Sequence, residues 1–434
     1  MHSPTHHTVI IVGGGPAGLG FAGILNGWHP WYRDTDLIRG RYPDLARFLA
    51  SNNGSLLSLD HEDLVRSGVR PADLFRTLHH PSSRFRGEEE IALEFRRQDP
   101  VDWLMITRED VGGLWNNVPR NLLTLSPGHW MEMAFHPLSQ HAEETGREID
   151  PNTLIIKHQL IDYYHRLPSR MELGERVHTG VNVDRIEPHA KGFALTTREV
   201  GTGSPQHYTC RYLIYAAGQR CILRSLNVPG EELPFVSSHY DHFSDYPGER
   251  VVVIGGGRSA DWAVTELHDA GRQVHYIMRQ SQDRHWRLIG DSRNGLPYYA
   301  RIAEILESGS PRLQALYDST VSGFEENADG GQVTIGTPEG SRIIEVDHAI
   351  KEIGGIADYS ILQGFPPIDL YEKYDDYRFQ VHQMPVRLHS YESTDIPNLY
   401  PGGYLAKGLG LVVIGMHGAA YPIAADILKK EGRL

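Results

Sequence analysis

Two glycine-rich turns, each at the end of a buried aliphatic run, are the features of this chain best suited to chemistry. Gly13, Gly15 and Gly18 follow the run Val9–Val12, and a second turn follows Val251–Ile254. Glycines at such positions let the backbone approach a pyrophosphate held at the N-terminus of the next helix. The pair therefore indicates two dinucleotides and favours a flavin that is reduced by a nicotinamide. The alternative is a glycine-rich strand-to-helix turn in another kind of α/β domain.

The first turn predicts the FAD site. Pro16 begins the predicted helix and Gly27 ends it, and the turn lies directly after four aliphatic residues. In dinucleotide-binding folds an acidic residue about 20 positions further on contacts the ribose. Counting along this chain gives Asp34 or Asp36 for that contact.

The second turn predicts the site of the nicotinamide cofactor, and it follows the G-x-G-x-x-A form. The residues assigned to this cofactor are Gly255, Gly257, Arg258, Ser259 and Arg279. Arg279 follows the next predicted strand, where an NAD enzyme would carry a carboxylate. A guanidinium there can pair with a 2′-phosphate, which favours NADPH over NADH. The alternative is a solvated arginine at a strand end.

Each turn needs a parallel sheet to hold it, and the aliphatic runs are typical of strands covered on both faces. After the first turn the strand pattern is interrupted by a polar segment with helical character, and it resumes at Trp103–Thr107. We expect an α/β fold with two Rossmann-like dinucleotide-binding domains, the first split around the second. The predicted ranges are 1–220 and 350–434 for the FAD domain, 225–345 for the NADPH domain, and 34–100 for a helical insertion.

The length, net charge and cysteine content of the chain limit the kinds of partner and site that it can have. The 434 residues are enough for two or three domains, and the formal net charge of −13 argues against nucleic acid or an anionic membrane. The two cysteines, Cys210 and Cys221, are too few for a disulfide framework and too far apart for a C-x-x-C pair. The start of the chain shows no signal-peptide pattern, and we expect a cytoplasmic protein without a membrane span. A homo-oligomer is compatible with this composition.

Several stretches resemble flavin-containing monooxygenases. In that class an acidic stretch followed by Gly-Gly-x-Trp comes after the second strand of the flavin domain, as in Arg108–Trp115, and Pro247–Ala260 resembles its NADPH fold. A closer similarity, over nearly the whole chain, is to the oxidative-stress-induced growth inhibitor family, a branch of the flavin monooxygenase and amino-acid N-hydroxylase superfamily. The stretches that carry it are Ile24–Gly27, Gly112–Trp115, Leu123–Met131, Val228–Phe235, Asn398–Tyr400 and Gly418–Ala420.

This resemblance implies a single-component monooxygenase with FAD and NADPH as cofactors and with O₂ and a small-molecule nucleophile as substrates. One oxygen would pass from a C4a-hydroperoxyflavin to the nucleophile, with N-hydroxylation favoured over S-oxygenation. Ser126 and His129 are the catalytic candidates, as donors near the distal oxygen. Helix N-terminal amides around Gly418 are expected to stabilise negative charge on the flavin. The other residues assigned to the cofactors are Arg108, Gly113, Trp115 and Gly403.

Departures from the resemblance leave other functions open. Val236 stands where the monooxygenase fingerprint F-x-G-x-x-x-H-x-x-x-Y has its histidine, although Ser237 and Tyr240 fit the latter half. The glutamate that contacts the adenosine ribose would align near Ile106, which leaves Arg108 as the nearest polar group. One alternative is a reductase or oxidase that passes electrons to a quinone, a dye or O₂ without oxygenation. Another is a nucleotide-binding redox-regulatory protein.

No metal is predicted. The 24 histidines are scattered, and pairs such as His79-His80 have no third ligand at metal spacing. Two readings also stay open for Trp115, Trp130 and the stretch Met131–Met133, because they could line the flavin cavity or pack in the core.

Overall fold

The computed structural model describes residues 4–82, 90–327, 330–374, 380–409 and 413–434. The chain divides into two compact units. The first comprises Met1–Asn116, Ser126–Gln219 and Ala357–Leu434, and the second comprises Asn117–Leu125 and Arg220–Ile356. The predicted ranges differ from these mainly at Asn117–Leu125, a short segment that belongs to the second unit.

Both units contain helices and strands. The helices of the described residues are α1 (Pro16–Leu25), α2 (Asp36–Arg41), α3 (Pro43–Ala50), α4 (His61–Arg66), α5 (Pro71–His79), α6 (Leu138–Thr145), α7 (Lys157–Arg170), α8 (Arg258–Asp269), α9 (Gln282–Ser292), α10 (Pro297–Glu307) and α11 (Val413–Lys430). The strands are β1 (Thr5–Val12), β2 (Trp28–Tyr32), β3 (Leu93–Arg97), β4 (Trp103–Ile106), β5 (Leu123–Pro127), β6 (Leu154–Ile156), β7 (Val177–His178), β8 (Val181–His189), β9 (Gly192–Glu199), β10 (Pro205–Tyr215), β11 (Ile222–Leu223), β12 (Val236–Ser237), β13 (Arg250–Ile254), β14 (Gln273–Ile277), β15 (Leu313–Leu316), β16 (Thr320–Asn327), β17 (Gly330–Thr337), β18 (Gly340–Val346), β19 (His348–Lys351), β20 (Gly355–Ile356), β21 (Tyr371–Tyr374), β22 (Gln380–Gln383) and β23 (Leu399–Pro401).

The first unit is built on a seven-stranded sheet in the order β7-β4-β1-β10-β9-β8, with β23 also paired to β10. β1 lies parallel to both β4 and β10, and β23 is parallel to β10. Val9, Ile10 and Ile11 of β1 are fully buried because the central strand is covered on both faces. The carboxyl ends of β1, β4, β10 and β23 therefore meet at one edge of the sheet.

The insertion predicted at 34–100 contains helices α2 to α5 and the strand β3. β2 pairs with β3 in a separate two-stranded antiparallel sheet and takes no part in the seven-stranded sheet. The ribose assignment to Asp34 or Asp36 is therefore wrong, because both residues follow a strand of the separate two-stranded sheet instead of a strand beside β1. Their carboxylates pair with Arg39 in α2.

The second unit contains a five-stranded, all-parallel sheet in the order β12-β19-β13-β14-β15 and a three-stranded antiparallel sheet of β16, β17 and β18. Helices α8, α9 and α10 contribute to its core with β13 and β14. Each unit thus carries its own parallel sheet, which confirms the predicted α/β fold with two dinucleotide-binding halves. Among the described residues, no helix combines the length and the apolar character that crossing a membrane requires.

Candidate cofactor sites

The first glycine-rich turn is fixed by close backbone approaches. Gly13 has a φ of +112°, and a Cβ there would lie 2.3 Å from the Ala216 carbonyl oxygen at the end of β10. A Cβ on Gly18 would lie 2.0 Å from the Gly13 carbonyl oxygen. A Cβ on Gly15, in contrast, would meet only the Gly113 Cα at 3.7 Å, which is an ordinary contact. Gly13 and Gly18 are therefore needed for the fold, whereas Gly15 leaves open space in front of the helix.

The N-terminus of α1 offers unpaired backbone donors to that space. Gly15 is the N-cap, no side chain caps the helix, and Pro16 occupies the first turn. The first-turn N–H groups of a helix have no intrahelical acceptor and attract anions, and a pyrophosphate fits this donor set. The space is bordered by Gly113, whose φ of +57° and close approach to the Gly15 backbone require glycine. The neighbouring Gly112 N–H donates to the Gly14 carbonyl at 2.8 Å.

The segment after β4 brings two carboxylates to the same sheet edge, and sequence reasoning missed both. Ile106 is buried at the end of β4, Arg108 pairs with Glu109 at 3.1 Å, and the Asp110 carboxylate accepts the Val111 N–H. The Arg108 side chain is 61% exposed and that of Glu109 37%. The ribose-binding acid of such folds follows the strand beside the central one. β4 is that strand, and the acidic stretch directly after the predicted strand Trp103–Thr107 was the sequence signal for this contact.

The tail contributes one predicted residue to this edge. Gly403 is buried directly after β23, with a φ of +61°, and the preceding Gly402 N–H donates to the Tyr215 carbonyl of β10 at 2.7 Å. Met131 and Met133 are buried members of the hydrophobic core of the first unit. Trp115 is half-buried and packs against that core. Of the two interpretations left open by the sequence, packing in the core is therefore the one that applies to the two methionines.

The prediction that a helix begins around Gly418 is wrong, since α11 spans Val413–Lys430 and Gly418 lies in its second turn. The Gly418 amide is therefore not a helix N-terminal donor. A Cβ on Gly418 would lie 2.4 Å from the Ala72 carbonyl oxygen of α5. Gly418 is thus a packing residue that lets α11 and α5 approach closely.

The second glycine-rich turn, in the other unit, is also fixed by a close backbone approach. Gly255 has a φ of +143°, and a Cβ there would lie 2.3 Å from the Glu352 carbonyl oxygen. Gln280, which sequence reasoning missed, donates through Nε2 to the Gly256 carbonyl at 2.7 Å. This contact holds the segment after β14 against the turn. Arg279, its neighbour, is therefore placed beside the glycine-rich backbone.

The residues assigned to the nicotinamide cofactor gather at the start of α8. Gly257 is the N-cap without a side-chain cap, and Arg258 and Ser259 open the helix. Arg279 is exposed, and within the described residues its guanidinium forms no hydrogen bond or ion pair. The arrangement provides helix amides for a pyrophosphate and a separate cation for a further phosphate.

The residues that align with the monooxygenase fingerprint make structural contacts within the second unit. Val236 and Ser237 form β12, parallel to β19. The Tyr240 N–H donates to the buried Glu352 carboxylate at 2.7 Å, and its hydroxyl donates to Glu266 at 2.9 Å.

The catalytic candidates lie in the first unit. Ser126 is half-buried on β5, and His129 is buried in the short 3₁₀ helix Gly128–Trp130. His129 Nδ1 lies 2.8 Å from the Pro151 carbonyl oxygen. Because a carbonyl only accepts, this contact places the proton on Nδ1 and fixes the ring orientation.

The His79-His80 pair has a third polar partner that the sequence did not reveal. One potential ligand atom each from His79, His80 and Glu132 lie within 4.8 Å of one another, and all three residues are buried. Burial lowers the pKa of His79 to about 3 and that of His80 well below its usual range, and it raises the pKa of Glu132 to about 8. The expectation that no third ligand accompanies this pair is therefore wrong.

Comparison with known proteins agrees with this architecture. Oxidative stress-induced growth inhibitor 1 of Mus musculus is 25% identical, over 98% of this chain and 96% of that protein, and the Homo sapiens protein gives the same values. This confirms the predicted resemblance. Among solved structures, a bacillithiol disulfide reductase from Staphylococcus aureus has a TM-score of 0.64 at 19% identity, and an ornithine hydroxylase from Pseudomonas aeruginosa has 0.61 at 14%. Each of the two matches covers 98% of this chain and 99% of the matched chain. At these identities the likeness shows the fold.

A family model described as pyridine nucleotide-disulphide oxidoreductase matches residues 90–403, which is more than half of the chain. The match includes the whole second turn and the strand β4 that borders the first. With the two glycine-rich turns, it supports the predicted pair of cofactors. The chain belongs to the pyridine nucleotide-disulphide oxidoreductase family and is a flavin-dependent oxidoreductase that uses FAD and NADPH.

Proposed function

We propose that this enzyme is a monooxygenase that transfers one oxygen atom of O₂ to a small nucleophile, with an amine nitrogen favoured over a sulfur. The observation that carries the proposal is the presence of two pyrophosphate turns in a chain without a dithiol. The similarity to an ornithine hydroxylase supports the preference for nitrogen.

The cysteines argue against electron transfer through a protein disulfide. Cys210 is fully buried in β10, and burial raises the pKa of its thiol far above the usual range. Cys221 lies beyond the end of that strand, and the two form no disulfide. A catalytic dithiol needs reactive thiolates that are accessible and able to reach each other. Electrons that reach the flavin are therefore expected to leave it for a small molecule.

In the proposed FAD site, the N-terminal amides of α1 hold the pyrophosphate and Gly15 leaves room for it. Glu109 is the proposed ribose contact, since it follows the strand next to β1. Arg108, Trp115 and Gly403 border the same sheet edge. Bound FAD supplies the hydride acceptance from NADPH and the reaction with O₂. The chain binds and orients the cofactor, and Ser126 is the proposed hydrogen-bond donor to the reacting oxygen. His129, whose Nδ1–H is used by the Pro151 carbonyl, is proposed to accept a proton through Nε2.

Oxygen transfer predicts coupling between NADPH consumption and product. In air, a good amine substrate should lower the hydrogen peroxide released per NADPH, and label from ¹⁸O₂ should appear in the product. Replacing Ser126 and His129 together by alanine should raise the peroxide yield several-fold while FAD is retained. His136→Ala, which removes another buried histidine of the same unit, is the matched control. One peroxide per NADPH, whatever amine, sulfide or ketone is added, would overturn the proposal.

Arg279 should select the nicotinamide cofactor. Loss of a charge-assisted pair to a 2′-phosphate costs about 1.5–3 kcal/mol, so Arg279→Ala should weaken NADPH roughly ten- to a hundredfold and leave NADH nearly unchanged. Dissociation constants from fluorescence titration of both nucleotides measure this. Arg258→Ala, at the helix start, should weaken both nucleotides. Equal losses for the two nucleotides in Arg279→Ala would show that Arg279 does not contact the phosphate.

A non-oxygenating reductase is the second candidate. Val236 in place of the fingerprint histidine favours it, as does the similarity to a bacillithiol disulfide reductase. It predicts NADPH-dependent reduction of a quinone, a dye or a small-molecule disulfide, without label from ¹⁸O₂ in any product.

A further inference from the structure

The ring nitrogens of His79 and His80 are buried without partners. His79 is 1% exposed and His80 is fully buried, and neither nitrogen of either ring has a hydrogen-bond partner among the described residues. Buried polar groups in native proteins are almost always satisfied, and an exception calls for a water or an ion. Each neutral ring has one nitrogen with a free lone pair, so the two rings together point to a ligand that accepts two lone pairs, which a metal ion does.

We propose that His79, His80 and Glu132 bind one first-row divalent metal ion, with Zn²⁺ as the expected occupant. His79 Nε2 and Glu132 Oε1 are 3.5 Å apart, without forming a hydrogen bond. Ligands about 2.0–2.1 Å from a tetrahedral Zn²⁺ lie roughly 3.3 Å from one another, so this edge nearly fits already. The third ligand atom lies within 4.8 Å of both. Side-chain rotation must therefore bring it closer by up to about 1.5 Å to reach the spacing of tetrahedral ligands.

The protein holds Glu132 in position for this role. Its Oε2 accepts the Leu138 N–H at 2.8 Å, which leaves Oε1 turned toward His79. Two buried tyrosines of α7 fix the surrounding loop: Tyr164 donates to the Met131 carbonyl at 2.7 Å, and the Tyr163 hydroxyl accepts the Met133 N–H at 2.8 Å. Such hydrogen bonds around a ligand orient it and raise metal affinity.

The ligand set specifies the class of metal. Two imidazoles and one carboxylate form a three-ligand Zn²⁺ site with an open fourth position, and the same set also suits Fe²⁺. The carboxylate balances part of the dication's charge in the interior. His79 ends α5 and His80 follows it, while Glu132 lies in the loop before α6. A bound ion would therefore tie the end of the 34–100 insertion to the rest of the first unit.

Metal content of the FAD-loaded protein tests the assignment. Protein produced with added Zn²⁺ and passed over a chelating resin should retain about one metal ion per chain by mass spectrometry. X-ray absorption at the zinc edge should show nitrogen or oxygen ligands at about 2.0–2.1 Å and no sulfur. Metal-free protein should unfold roughly 5 °C lower, and Zn²⁺ should restore the loss.

His79→Gln, His80→Gln and Glu132→Gln should each lower the retained metal at least about tenfold and abolish the Zn²⁺-dependent shift. His61→Gln is the matched control, because His61 is a buried histidine of α4 in the same insertion and lies outside the cluster. Retention of FAD checks that each variant folds. Iron at the same stoichiometry, lost in the same variants, would support the site. Absence of stoichiometric metal, or metal retained equally by the three variants, would overturn it.

Discussion

Gly15→Val is expected to give a folded protein that is colourless because it does not retain FAD. The physical reason is that a Cβ at Gly15 meets no protein atom closer than 3.7 Å, yet a side chain there enters the space in front of the α1 amides. Loss of the hydrogen bonds from these amides to a charged pyrophosphate should weaken FAD at least about 100-fold. The flavin-to-protein absorbance ratio after desalting measures this, and circular dichroism reports the fold.

Gly40→Val is the control for this experiment. Gly40 lies in α2 of the same unit, and a Cβ there would meet nothing within 4 Å, so FAD content should stay at the wild-type level. Gly18→Ala is less informative, because its Cβ would collide with the Gly13 carbonyl and disturb the turn itself. A fully flavinylated Gly15→Val protein would refute the placement of the pyrophosphate at this turn.

Glu231→Gln is expected to destabilise the second unit by about 3–5 kcal/mol, because it leaves a buried lysine without its counter-charge. Lys351, at the end of β19, is 6% exposed, and its Nζ donates to Glu231 Oε1 at 2.6 Å. Glu231 also accepts the Leu226 N–H and the Ser225 hydroxyl. Chemical denaturation of the unit, followed by the fluorescence of its tryptophans, measures the loss. The double variant Glu231→Gln/Lys351→Met should recover much of it, and equal stability of Glu231→Gln and wild type would contradict the prediction.

The same pair predicts a pH dependence. Burial opposes ionisation of Glu231, but the hydrogen bonds from Lys351 and Ser225 outweigh it and lower the pKa of the carboxyl to about 2. A carboxyl whose pKa is lower in the folded state stabilises the fold above its unfolded pKa of roughly 4.3. We expect about 2 kcal/mol of stability to be lost as the pH falls from roughly 4.5 to 2, and Glu231→Gln should lack this component.

The local patterns of the chain were sufficient to predict the two cofactor turns. A buried strand, a glycine-rich turn and a helix start are encoded by neighbouring residues, so both turns could be located from the sequence. The position of Arg279 shortly after β14 also followed from the aliphatic pattern of that strand, whereas its contact with a phosphate stays a prediction. The split of the first domain around the second followed from the return of strand patterns after the second turn.

Strand pairing confirms that the strand at Trp103–Ile106 lies beside β1, as the sequence pattern predicted, and it overturns the ribose contact obtained by counting along the chain. Counting along the chain selected the acids after β2, whereas strand pairing puts β4 there and brings Glu109 to the sheet edge. A strand of the small two-stranded sheet and a strand of the parallel sheet carry the same local pattern, so only their partners distinguish them. The role of Gly418 was likewise fixed by the close approach of α5 to α11, which no neighbouring residue reveals.

The sequence by itself determined the cofactor pair and the class of fold, because these depend on short motifs whose geometry is local. Only the tertiary structure joined Glu132 to His79 and His80, and Glu231 to Lys351. Each of these groups brings together residues from distant parts of the chain. Because the residues are buried, loss of a contact costs more stability than it would at the surface. Spacing along the chain carries no record of such contacts, since they arise when separate elements pack together.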